Sequence, residues 1–127
     1  MTASAKTLLS ALGFDDAELS LSIVDDQEMT RLAGQYLGQQ GPTNVLAFPM
    51  TEGIGGNLNP EILGDVVISA DTAAKEAAEA GTSLVRRMEE LLVHGVLHLV
   101  GFDHATQSQR REMEGKADEL LALCRAV

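Results

Sequence analysis

The sequence predicts an α+β fold, a small mixed sheet packed with about five helices, and three features carry that reading. Leu19, Leu21 and Ile23 alternate with Ser20 and Ser22, the period-two pattern of a half-buried strand. Val66, Val67 and Ile68 form the continuous apolar run of a buried strand. Leu84 to Val100 is a long segment with apolar residues on nearly every side, as expected of a central helix.

The remaining elements follow in order. Lys6 to Leu12 suggests a short helix stopped at Gly13. Asp25 and Glu28 make a start signal resembling a capping box, with a helix from Asp26 to about Tyr36 that Gly38 to Pro42 breaks. Asn44 to Phe48 is a short apolar strand ended by Pro49. Thr51 to Pro60, rich in glycine and asparagine, reads as a loop. Its Gly53-Ile54-Gly55-Gly56 lacks the Lys-Ser/Thr ending of a phosphate loop. Gly64 to Ser69 is the buried strand, and Asp71 is expected to cap a helix that runs to Ala80. A last helix near Gln107 to Leu123 buries Met113, Ala117, Leu120 and Cys124.

A length of 127 residues fits one domain, so residues 1–127 are read as a single unit with one core. The only aromatics are Phe14, Tyr36, Phe48 and Phe102, so aliphatic residues must fill the interior. A net charge of −10 gives no chain-wide basic footprint for nucleic acid. Any RNA would have to be held by local groups. The single cysteine, Cys124, excludes an internal disulfide, suits a reducing compartment and reads as a small core residue. There is no secretory signal pattern and no apolar run long enough to span a bilayer, so the chain reads as cytoplasmic. Glu18, Asp65, Glu89 and Glu90 read as solvated surface, and Tyr36 as a helix-face packing residue with base stacking as the alternative.

The chemistry concentrates in one stretch, His94-Gly95-Val96-Leu97-His98-Leu99-Val100-Gly101-Phe102-Asp103-His104, which holds every histidine of the chain. His94 and His98 are four apart and stack on one helix face. Gly101 can take the left-handed conformation that ends the helix and brings His104 to the pair. Three imidazoles with an open fourth position describe a catalytic zinc site, one ion per chain, although nickel, copper or iron also accept such ligands. The spacing matches the metalloprotease pattern His-Glu-x-x-His-x-x-Gly-x-x-His except that Gly95 replaces the glutamate general base. Ordinary peptidase chemistry is thereby disfavoured. The missing side chain is expected to leave space beside the metal for a phosphodiester. Asp103 is the nearest candidate base, or else a carboxylate that orients an imidazole.

That stretch resembles the signature of the YbeY family of metal-dependent endoribonucleases. Gly41 to Pro49 (GPTNVLAFP) and Gly64 to Ser69 (GDVVIS) resemble two further family segments in the same order and spacing. The resemblance implies the family's α+β fold and zinc held by His94, His98 and His104. It also implies cleavage of single-stranded RNA in maturing the 3′ end of small-subunit ribosomal RNA and in ribosome quality control, with the ribosome or assembly factors as partners. Two positions depart from the family. Where members carry an arginine after the tyrosine, Tyr36 is followed by Leu37, with Gln39 and Gln40 nearby and Arg31 about one and a half helical turns earlier. Members also carry an extra N-terminal strand, whereas this chain begins at the first helix, so an open sheet edge is expected and the start is either compact or lies upstream. Two other readings stay open: a non-catalytic zinc-containing ribosome-assembly module, and a metal-dependent hydrolase of another substrate.

Overall fold

The computed structural model describes residues 2–14, 17–49, 62–102 and 105–125. Among them, α1 (Thr2–Ala11) leads to β1 (Glu18–Val24), α2 (Asp26–Leu37), β2 (Val45–Pro49), β3 (Ile62–Ser69), α3 (Ala70–Ala80), α4 (Leu84–Leu99) and α5 (Gln107–Arg125). The α+β expectation is met. The Gly53–Gly56 run, Asp103 and His104 lie outside the described residues.

The sheet is mixed, in the order β1-β3-β2. β1 runs parallel to β3 with Leu21 opposite Val66, and β2 runs antiparallel to β3 with Ala47 opposite the same residue. The apolar run of β3 is buried because it is the middle strand, covered on both faces. Alternation sends Val66 and Ile68 to the side where α4 lies, into a core with Leu8, Leu92, Val96 and Leu120. Val67 points the other way, against Leu46 and Met29 of α2.

Several local expectations are corrected. The N-cap of α3 is Ser69, whose hydroxyl accepts from the Thr72 amide, and not Asp71. Asp71 instead accepts from the Asp26 amide at 2.9 Å and so ties α3 to the start of α2. Ile23 does not continue the inward alternation of Leu19 and Leu21, since it lies 49% exposed at the end of an edge strand. α4 is packed all round only in its second half: Val85 in the first turn is 65% exposed, whereas Leu92 to Leu97 is an almost solidly buried block. Glu89 and Glu90 are partly buried and bonded, to the Ser4 hydroxyl and to Arg87 respectively. Cys124 is buried in the core as expected.

Candidate metal and substrate cleft

α4 carries the two histidines because its other faces are committed to the core. Val93, Val96 and Leu97 are buried around them, which leaves His94 and His98 half-buried on the remaining strip. A helix turn separates the two residues, so their rings meet edge to face with centroids 4.7 Å apart. Their Nε2 atoms are 3.1 Å apart. At most one proton can lie between two such nitrogens, and a cation that replaced it would meet a lone pair from each ring. Two nitrogens bound to one tetrahedral zinc at about 2.0–2.1 Å would lie about 3.3 Å apart, so the donor pair fits a metal without rearrangement of α4. Among the described residues no third histidine, cysteine or carboxylate joins them.

The end of α4 has the expected form. Gly101 adopts φ 102°, its amide reaching the His98 carbonyl at 3.2 Å while the Phe102 amide reaches Leu97 at 3.0 Å. The chain therefore turns at Gly101, three residues after the second histidine.

Gly95 has a different purpose from the one expected. A Cβ there would lie 2.8 Å from Cγ1 and 3.1 Å from Cγ2 of Val66, and 3.4 Å from Val45. The space left by the absent side chain is filled by the sheet and is not open to substrate. Glycine lets α4 approach β3 closely, and Val66 is fully buried in the core, so it has little freedom to give way.

Above the histidines lies a cleft of about 950 Å³. Its floor is His94, Gly95 and His98, one wall is the run from Thr43 to Pro49, and the far rim is Tyr36, Leu37 and Gln39 at the end of α2. Leu37 thus occupies the rim where the resemblance anticipates an arginine. Arg31 does not take its place: it is outside the cleft lining, bonded along its own helix to Glu28 and Gln35. Gln40 does not line the cleft either.

Asn44, given no role from the sequence, anchors the cleft wall. Its amide donates to both carboxylate oxygens of Glu76 at 3.3 Å, its carbonyl accepts from the Ser69 amide, and Arg87 of α4 binds Glu76 from the other side. Burial works against the Arg87 charge, but hydrogen bonds to Glu90 and Glu76 outweigh it and hold the pKa above the ordinary arginine value. The only sequence signal for this anchor was the position of Asn44 within the Gly41–Pro49 segment.

Fold and site together describe a small α+β protein with an imidazole pair at the base of a cleft whose described lining is neutral. The family model described as Endoribonuclease YbeY matches residues 2–125. The chain is 50% identical over 121 residues to the endoribonuclease YbeY of Geobacter sulfurreducens, covering 94% of this chain and 81% of the relative. It is 47% identical over 123 residues to that of Syntrophotalea carbinolica, covering 95% and 82%. The solution structure of a Thermotoga maritima protein shares the fold, with a TM-score of 0.70 at 23% identity over 97% of this chain and 77% of that one. The chain belongs to the YbeY endoribonuclease family.

Proposed function

We propose that this chain is a zinc-dependent endoribonuclease that cuts single-stranded RNA, acting in 3′-end maturation of small-subunit ribosomal RNA and in ribosome quality control in the cytoplasm. Residues 1–127 act as one domain, with the ribosome or its assembly factors as partners. The observation that carries the reading is the convergence of the His94 and His98 Nε2 atoms, 3.1 Å apart, at the base of the cleft in a member of an endoribonuclease family. His104 is the third ligand. No helix of the described residues is long and apolar enough to cross a membrane.

When bound, the ion supplies Lewis-acid activation of water and polarisation of a phosphoryl oxygen. The protein's part is positioning. α4 holds two ligands on a rigid, buried helix, so binding requires little further ordering. Gly95 offers no general base, which sets the site apart from the metalloprotease pattern. Among the described residues, the walls and rim bring neutral side chains toward the floor.

One observation favours a second reading. Leu37, 53% exposed on the rim, offers no charge-assisted donor to a phosphoryl group, as expected if the chain serves chiefly as an assembly module with weak cleavage.

The deciding experiment is cleavage of an end-labelled single-stranded RNA by protein of measured metal content, beside a His94→Ala/His98→Ala control. Cleavage that the control loses supports the nuclease. Absence of cleavage at one bound metal per chain would overturn it in favour of the assembly module. Chelation should remove activity while leaving most of the fold, because neither His94 nor His98 belongs to the hydrophobic core; a collapse of the melting transition would mark a structural metal instead.

A further inference from the structure

We propose that Tyr36 is a stacking platform for an unpaired nucleobase, so that the cleft grips RNA by its bases rather than by its phosphates. The inference rests on the endoribonuclease reading and deepens it by naming what recognises the strand.

The first ground is electrostatic. Between Arg31 and Lys75 the sequence contains no Lys or Arg, and this span supplies the wall and rim of the cleft among the described residues. No Lys, Arg, Asp or Glu occurs among the described residues that line it. The chain carries a net charge of −10, so the general field opposes a polyanion. Affinity from phosphate neutralisation scales with the number of Lys and Arg contacts, and the described lining of the cleft provides none.

The second ground is the ring itself. Tyr36 is 57% exposed beside Leu37, at the rim of the same cleft as the histidine pair. An aromatic ring left open to water needs support to keep one orientation. Phe48 gives it, with centroids 5.1 Å apart at 62°, and is itself packed against the Met29, Leu46 and Val67 cluster. One side of Tyr36 is therefore fixed by a seated ring while the rest stays open. A flat, pre-oriented π-face with the neutral amide of Gln39 nearby suits a base, which stacks in any sequence context, better than it suits a phosphate.

The chain has one tyrosine and no tryptophan, so its intrinsic tyrosine fluorescence reports Tyr36 alone. The experiment titrates zinc-loaded protein with a short oligoadenylate and with an abasic ribose-phosphate strand of equal length, following tyrosine emission and the anisotropy of end-labelled strands. Oligoadenylate is expected to quench the emission, and the abasic strand to leave it unchanged. Tyr36→Leu should weaken oligoadenylate binding at least about fivefold, and Tyr36→Phe should restore it to within about twofold. Log affinity against log salt should have a slope no steeper than about −1, the value for one or two neutralised phosphates. Equal affinity for the abasic strand, no binding of oligoadenylate, or unchanged affinity in Tyr36→Leu would each overturn the platform. Quenching without any cleavage would defeat the nuclease reading and leave the platform standing; cleavage with the same kcat/KM in Tyr36→Leu would do the reverse.

Discussion

Two polar clusters sit at the edges of the same core and are built on opposite rules. At the end of β3, the Asp26 carboxylate accepts from the Ser69 hydroxyl at 2.5 Å and from the Thr72 hydroxyl at 2.6 Å, while Ser69 in turn accepts from the Thr72 amide. Each donor named here has its acceptor within the protein, and Ser69 is completely buried without penalty. On α4, the His94 and His98 nitrogens face each other across 3.1 Å beneath a cleft. Their ring nitrogens converge on one point that borders the cleft. The closed network locks two helices to a strand; the imidazole pair lines a cavity. The difference lies in placement: one cluster is sealed between elements, and the other borders a cleft.

Removing a ligand should have the largest effect. His98→Ala is expected to abolish stoichiometric metal binding and to lower cleavage more than about 100-fold, beyond what loss of an outer-shell partner produces. Full metal occupancy in that variant, measured by elemental analysis, would show that the imidazole pair is not a ligand site. Gly95→Ala comes next: overpacking against Val66 costs about 1–3 kcal/mol, and alanine's better helix propensity offsets only about 1 kcal/mol. Combining it with Val66→Ala should reduce the loss relative to the sum of the two changes, and strict additivity in denaturant unfolding would dismiss the contact.

At the rim, Leu37→Arg is expected to raise RNA cleavage severalfold, about 3–10-fold, and to steepen its salt dependence, because it places a guanidinium over the cleft. An unchanged rate would remove Leu37 as a brake on the reaction. The smallest effect belongs to the closed cluster. Hydrogen bonds from Ser69, then Thr72, hold Asp26 below the ordinary carboxylate range. Its stabilising contribution is therefore complete above the unfolded value of about 3.9 and is lost as the pH falls from there through the lower folded value. Asp26→Asn should lower the Tm at neutral pH, with the gap to the wild type closing in acid. A gap of constant size would mean that the charge is not what the network holds.

The imidazole pair was legible because its geometry depends only on the helical period, which any apolar i, i+3, i+4 pattern reveals. The same holds for β3, whose apolar run needs nothing but a middle position in a sheet, and for Gly101, whose place after the last helical residue marks a turn. The capping of α3 was harder. Ser69 and Asp71 are both good caps two residues apart, and the partner that decides between them, Asp26, lies 43 residues from Ser69.

Local sequence thus determined the fold class, the order of elements and the helix face that carries His94 and His98, because periodicity and turn chemistry act over a few residues. Tertiary structure decided what each ambiguous residue is for. Gly95 meets Val66 across a helix–sheet contact, Arg31 is held by Glu28 and Gln35, and Tyr36 leans on Phe48 at the mouth of the cleft. Side chains distant in sequence compete for the same few ångströms of space, and only the folded chain settles which of them meet.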